Sequence, residues 1–340
     1  YYSLDDMTEE PYRLTGTGFT DCEVELYQLN STQAHIGRGV KWGEIPQAPE
    51  ASFYDFLQPF VTQEELPTSS SYQLFCLRLT GTAPGKWQGE IRATQGKISV
   101  SKTLTFEVLP LLLPTQTAPT LELWQYPFAV ARYYQIEPKD YFNKAHCERI
   151  ADLAIGQPHL GDQTVFRQWC EQRRAKGLAT SISNCVGDYP AMFLYSHPLE
   201  SQWVIWNTVA YGADGFLRWA LDAWVKDPLV NGSHWYWESG DPFLLYPGTN
   251  GTMMSLRFQQ MQQALNDSRK YLFLQNKQPA LVSEVTRLLD GWAQLSGETN
   301  DYGAQVPFSE NETLQLIQTI QQMHDLLEKG ARAYLKESNK

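Results

Sequence analysis

Between Tyr211 and Arg257 the chain gathers side chains of the types that hold a polar ligand with apolar faces. Four of its eleven tryptophans lie there, Trp219, Trp224, Trp235 and Trp237, among Asp214, Arg218, Asp222, Asp227, Glu238, Asp241, Tyr246 and Arg257. Aromatic rings beside carboxylates, arginines and turn-forming Gly, Pro and Asn suit a cleft for a ligand such as a sugar, which offers both a flat apolar face and hydroxyls. The same composition also describes a tryptophan-rich core with solvated charges, because Trp is usually buried for packing reasons. Residue types alone leave both readings open.

Position narrows the choice. Gly215-Phe216-Leu217 and Phe243-Leu244-Leu245 are short apolar runs, each next to a charged or aromatic group. A strand that crosses a core and delivers a polar side chain at its end has this pattern. Trp219 ends the first run and is expected to face the ligand. Tyr246 ends the second, where its hydroxyl could hold a ligand group. Asp241 follows Gly240 and either meets the ligand or caps a turn. Arg218 and Arg257 read as partners in structural ion pairs. Trp235 and Trp237 lie on a stretch flanked by Gly and Asn, as a sugar platform or as loop anchors. Asp5, Asp6, Glu9 and Glu10 read as solvated residues of a tail.

The elements that must position these groups follow from periodicity. Residues 1–115 read as all-β, a β-sandwich, with alternating stretches at 22–27, 72–79, 87–93 and 104–108 separated by turn signals. Leu109–Pro119 holds three prolines and reads as the linker out of that domain. From 116 to 275 strands and helices alternate, which predicts an α/β domain, most naturally a (β/α)-barrel. Strands are predicted at 121–124, 178–183 and 215–219, and helices at 140–150, 162–176, 201–211 and 258–274. In residues 276–340, Leu281, Val285, Leu288, Leu289 and Trp292 form one helical stripe. Leu316, Ile320, Met323, Leu327, Ala331 and Tyr334 form another, with Ser309 and Glu312 as a capping box before it. These predict C-terminal helices packed on the barrel wall.

Composition excludes several function classes. The chain has 340 residues, 42% hydrophobic and 19% charged, which is a globular balance. A net charge of −11 without a Lys/Arg cluster argues against nucleic acid and anionic membrane surfaces as partners. The most apolar window, Val108–Pro114, is too short to span a bilayer. The five cysteines form no CxxC pair, and the six histidines no HxH or HExxH, so neither a metal site nor a cofactor is expected. The chain begins Tyr1-Tyr2 without a signal-peptide pattern, and any leader is expected to have been removed or never to have belonged to this sequence.

Several stretches carry a family resemblance. Gly212-Ala213-Asp214-Gly215-Phe216-Leu217-Arg218-Trp219-Ala220, Ala223-Trp224, Asp227-Pro228-Leu229, Gly240-Asp241, Leu244-Leu245-Tyr246-Pro247-Gly248 and Ser255-Leu256-Arg257-Phe258 resemble, in order and spacing, the C-terminal half of the glycoside hydrolase family 123 catalytic domain. Leu123-Trp124-Gln125-Tyr126-Pro127 and Pro138-Lys139-Asp140-Tyr141-Phe142 resemble the entry to that barrel. Gly85-Lys86-Trp87-Gln88-Gly89 and Leu112-Leu113-Pro114 resemble the β-sandwich before it. The resemblance implies a multidomain chain: a β-sandwich over 1–115, a TIM-type (β/α)8 barrel over 116–275 and C-terminal helices over 276–340.

It also implies a retaining β-N-acetylgalactosaminidase, acting on that or another N-acetylhexosamine at glycan ends, in which the sugar's own 2-acetamido oxygen attacks the anomeric carbon. A neighbouring Asp-Glu pair would do the protein's part, Glu as acid and Asp orienting the acetamido group. The alternative is a non-catalytic carbohydrate-binding protein with a degenerate barrel. The ligand-contacting set expected is Trp219, Tyr246, Asp241, Arg218, Trp224 and Trp237. The partner is a glycan, and the location secreted, periplasmic or cell-surface. No Asp-Glu dipeptide occurs in residues 116–275. The barrel is therefore expected to be incomplete in this chain, lacking a segment near 146–152 that would hold the pair and cause a spatial break near Ile150. Ile182, Pro190-Ala191, Gln259 and Arg269 also depart from the family pattern.

Overall fold

The computed structural model describes residues 12–19, 22–36, 50–60, 74–113, 119–123, 133–135, 154–156, 162–184, 190–291 and 310–338. Two units divide the chain, Tyr1–Asn30 with Leu57–Leu112, and Ser31–Phe56 with Leu113–Lys340.

The N-terminal strands are β1 (Tyr12–Thr17), β2 (Cys22–His35), β3 (Glu50–Pro59), β4 (Leu74–Gly81), β5 (Gly85–Gln95) and β6 (Ile98–Val108). One sheet has the order β1-β5-β6 and is antiparallel throughout. A second has the order β3-β2-β4, with β2 antiparallel to β4. Along the end of β6, Leu104, Phe106 and Val108 are less exposed than Thr103, Thr105 and Glu107. This is the period-two pattern of a sheet with one solvated face. Ile91 and Ala93 of β5 pack with Phe75 and Leu77 of β4 around Leu26 and Phe60. The apolar sides of the two sheets thus share one cluster, as facing sheets do.

The second unit is built on a parallel sheet of β7 (Thr120–Leu123), β8 (Ala154–Gly156), β9 (Ser181–Asn184) and β10 (Gly215–Arg218), in the order β7-β10-β9-β8. Gly215 lies level with Thr120 on one side and Ser181 on the other. Helix α1 (Gln163–Arg174) joins β8 to β9, and α2 (Glu200–Ala210) joins β9 to β10. Parallel neighbours need such crossovers. Asp162 caps α1 by accepting from the Val165 N–H at 2.9 Å. Ile182, one of the departures from the family pattern, is core, packed with Phe166, Cys170 and Tyr211.

The first strand of this sheet, β7, lies beside the last, β10. A barrel closes its strand order in that manner. Among the described residues four strands form this sheet, and β7 and β8 do not pair. The predicted helix at 140–150 and the break near Ile150 lie outside the described residues.

A hairpin of β11 (Leu245–Gly248) and β12 (Gly251–Met254) follows the sheet, then helices α3 (Leu256–Gln275), α4 (Pro279–Asp290) and α5 (Glu310–Ser338). The strand predicted at 243–245 begins later than expected: Phe243 makes only an isolated bridge to Asp222. Helix α2 is buried on nearly every side, Trp203, Val204, Ile205, Trp206 and Ala210 together with the polar Ser201, Asn207 and Thr208. Such a helix belongs inside a core. It packs on α3, with Trp206 edge-on to Tyr271 at 6.2 Å. Ser255 caps α3 by accepting from the Phe258 N–H. Val285 and Leu289 of α4 and Leu316, Ile320, Met323, Leu327 and Ala331 of α5 are buried, so both stripes face inward. The capping box at Ser309 lies outside the described residues. Among the described residues, no helix is long and apolar enough to cross a membrane.

Candidate functional site

Ligands of parallel sheets sit beyond the carboxyl ends of the strands. At that edge β9 ends on Asn184 and β10 on Arg218, with Trp219 next in the chain. Arg218 is fully buried and pairs with Asp241 Oδ1 at 2.7 Å. Its guanidinium also donates to the Asp241 carbonyl and, at 3.1 Å, to the Asn184 carbonyl. The other carboxylate oxygen of Asp241, Oδ2, accepts from Trp219 Nε1 at 3.0 Å. Both oxygens of Asp241 are therefore engaged. A buried ion pair survives its desolvation cost only with such additional hydrogen bonds.

The turn that delivers Asp241 depends on Gly240. Its φ is +81°, and a Cβ there would stand 2.6 Å from Leu194 Cγ and 3.1 Å from Arg257 Nη1. Arg257 Nη1 donates to the Gly240 carbonyl at 2.8 Å and to the Met192 carbonyl at 2.5 Å. The rest of its guanidinium grips Asp55, with Nη2 to Oδ2 at 2.8 Å. Tyr246 donates to the same Oδ2 at 2.7 Å. Burial and the adjacent Asp55 charge hold the Tyr246 phenol well above its ordinary pKa. Two buried arginine–aspartate pairs thus flank one turn.

Against Trp219 stands a run of rings. Trp219 and Trp237 meet edge to face at 5.5 Å, Trp237 and Tyr236 at 4.3 Å. Tyr236 and Trp235 follow at 5.5 Å, and Trp235 and His234 at 5.7 Å. Trp219, Tyr236 and Trp237 are half-buried, whereas Trp235 is 74% exposed. His234 Nδ1 accepts from the Tyr236 and Trp237 N–H groups at 3.1 and 2.9 Å. Burial holds this imidazole below its usual pKa, with Asp241 acting the other way. The neutral ring is the form that can accept.

The loop after β9 is pinned from below. Glu200 accepts from the Ala191 N–H at 3.0 Å and the His197 N–H at 2.9 Å. Asn184 Nδ2 donates to the Pro190 carbonyl at 2.7 Å. Burial pushes the Glu200 carboxyl up to about 8, the two N–H donors acting in the opposite sense.

Of the six residues expected to contact ligand, the structure brings Trp219 and Trp237 together as a partly exposed aromatic wall. Arg218 and Asp241 lie directly behind it, buried, and hold it. The remaining two are elsewhere. Tyr246 is fully buried and committed to Asp55, so its hydroxyl cannot reach a ligand. Trp224 is core: its Nε1 donates to the Leu245 carbonyl at 2.7 Å and its ring packs on Tyr133 and Tyr134. Tryptophan and tyrosine at strand ends look alike in sequence whether they face a cleft or a core. Arg218 and Arg257 make the ion pairs read for them. Sequence reasoning missed Asp55, Asn184 and His234. His234 could have been found from its place inside an aromatic run, whereas nothing in the sequence near Asp55 links it to residues two hundred positions away.

A cavity of about 380 Å³ lies at the opposite end of the sheet, lined in part by Arg167, Arg174, Asp214 and Tyr271. Its arginines are engaged in holding structure. Arg174 pairs with Asp214 at 2.6 Å, and Arg167 pairs with Asp290 and donates to the Ala210 carbonyl at the end of α2. Among the described residues, no group of three or more His, Cys, Asp or Glu is placed to hold a metal ion.

The likeness that the comparisons give is to the glycoside hydrolases. Residues 139–274 match the family model described as Glycoside hydrolase 123, catalytic domain. The particular likeness is to family 123. A solved family 123 glycoside hydrolase from Clostridium perfringens, described in connection with glycolipid glycan hydrolysis, superposes with a TM-score of 0.82. The match covers 97% of this chain and 91% of that one at 18% identity, so it is a likeness of fold. No curated protein matches.

Proposed function

We propose that the protein acts on β-linked N-acetylgalactosamine at the ends of glycans, glycolipid glycans among them, by substrate-assisted hydrolysis with retention. The observation that carries this reading is the Trp219–Trp237 wall, whose indole N–H is fixed by a fully engaged buried aspartate. A sugar ring stacks its apolar face on such a wall, and pre-organised rings lose little freedom on binding. The likeness to family 123 supports hydrolysis of a glycosidic bond. The 2-acetamido oxygen bonds to the anomeric carbon while the glycosidic bond breaks toward its oxygen, which takes a proton from an acid. Water then opens the oxazolinium at the same carbon. Asp241 is not that acid, because both of its oxygens are engaged. Its part is to hold the wall.

One observation favours a second reading. The sequence has no Asp-Glu dipeptide between 116 and 275, and a chain without the pair would bind glycans and leave them intact. Chromogenic β-N-acetylgalactosaminide and β-galactoside assays decide between the two. Turnover of the first alone, with inhibition by a thiazoline analogue, supports substrate assistance. Equal turnover of the 2-hydroxy galactoside rules it out. Saturable sugar binding without turnover assigns the protein to the second reading.

A further inference from the structure

We infer that the exposed face of Trp235 is a second stacking subsite, which takes the sugar next to the terminal one held at Trp219. This rests on the carbohydrate reading above, but not on whether the glycan is cleaved. Three observations carry it. Trp235 is continuous with the wall through Tyr236 and Trp237, ring on ring. It is 74% exposed, the most exposed of the large aromatics among the described residues.

The third is that its loop is stitched down on both sides. Gln33 N–H donates to the Val230 carbonyl at 3.0 Å, and Gly232 N–H donates back to the Gln33 carbonyl at 2.8 Å. Thr32 Oγ1 donates to the Pro228 carbonyl at 2.8 Å, and the His35 N–H to Ser233 Oγ at 2.9 Å. A Cβ on Gly232 would stand 2.5 Å from Leu194 Cδ1, so the loop also packs closely on the core. His234 Nδ1 then fixes the backbone of the next two aromatic residues.

A tryptophan on a loose loop can fold back and bury itself. This one is held open by a rigid frame, and its apolar ring stays in water. That arrangement is pre-organised for a flat apolar partner. The occupant that continuity with the Trp219 wall selects is a further sugar ring of the same glycan. Trp235 makes no part of the grip on Trp219, which is Asp241's. The subsite therefore adds affinity for longer glycans without touching the terminal sugar.

The test is calorimetric titration of the intact protein with N-acetylgalactosamine and with a non-hydrolysable, sulfur-linked disaccharide carrying it at the non-reducing end. Wild-type protein is expected to bind the disaccharide roughly three- to tenfold more tightly, the worth of one aromatic contact. Trp235→Ala should abolish that difference and keep the monosaccharide affinity, Trp235→Phe should restore most of it, and Trp219→Ala should weaken both ligands. Equal wild-type affinities for the two sugars, or an unchanged preference in Trp235→Ala, overturn the subsite and leave the terminal-sugar reading standing. A wild-type protein that binds neither sugar overturns both.

Discussion

Asp241 holds two neighbours at once. Its carboxylate joins the buried Arg218 to the indole N–H of Trp219. Removing it leaves a guanidinium buried without its counter-charge, a loss of about 3–5 kcal/mol. Asp241→Ala is thus expected to lower the urea midpoint steeply and to change Trp219 emission, and an unchanged midpoint would refute the assignment. Tyr246→Phe should behave otherwise. It removes one hydrogen bond to Asp55 while Arg257 keeps its pair, a cost of about 1–2 kcal/mol, and sugar affinity should not move. A drop in affinity at unchanged stability would return Tyr246 to the ligand. Glu200 gives a pH signature. Its folded pKa is raised to about 8, so the folded state keeps a proton that the unfolded chain gives up. The associated stability is full below the ordinary glutamate range and is lost as pH rises to about 8. Denaturation midpoints measured across that window should fall in the wild type, and Glu200→Gln should remove the part of the fall below the histidine range and lessen the rest.

At the scale of elements, the C-terminal helices are joined by charge as well as by their apolar stripes. Asp267 on α3 bonds His324 on α5 at 3.2 Å and Lys270 at 2.8 Å. Burial raises Asp267, but the His324 hydrogen bond and the Lys270 charge outweigh it and hold the carboxyl below its usual range. The Asp267 hydrogen bond raises His324, with burial opposing. For His324 the sign is that of a raised base: its contribution is full below the unfolded pKa and is lost as pH rises through the folded one. Stability followed by helical circular dichroism in denaturant should therefore decline as pH rises from about 6, the ordinary histidine range. His324→Gln should flatten that decline. A variant with the wild-type slope would place the titrating group elsewhere.

For the whole molecule, residues 31–56 matter more than their position suggests. They belong to the second unit, where they supply Asp55 to Arg257 and Tyr246, and Thr32 to the Pro228 carbonyl. A fragment starting at residue 113 would leave Arg257 and Tyr246 buried without their acceptor. It is expected to be insoluble or to melt well below the intact chain, the missing ion-pair partner alone costing about 3–5 kcal/mol. Thermal melts of residues 113–340 beside the full chain check this, and equal midpoints would show that the N-terminal excursion is dispensable.

Local pattern was enough to place most of the elements. The alternation at 104–108, the stripe from Leu316 to Ala331 and the Gly215-Phe216-Leu217 run each matched the element it forms, because side-chain periodicity is set by the backbone geometry of that element. The tryptophans of the wall were legible as types, and the ion-pair roles of Arg218 and Arg257 were readable because buried arginines demand partners. Which partners, and which rings face outward, was not. Trp224 and Trp219 lie five residues apart in similar surroundings, yet one fills the core against Tyr133 and the other stands half-buried against Trp237. Tyr246 looked equally well placed at a strand end, but an aspartate from residue 55 claims its hydroxyl. Such choices turn on contacts between residues far apart in the chain, and burial and charge pairing are properties of the assembled packing, decided only when the tertiary structure brings them together.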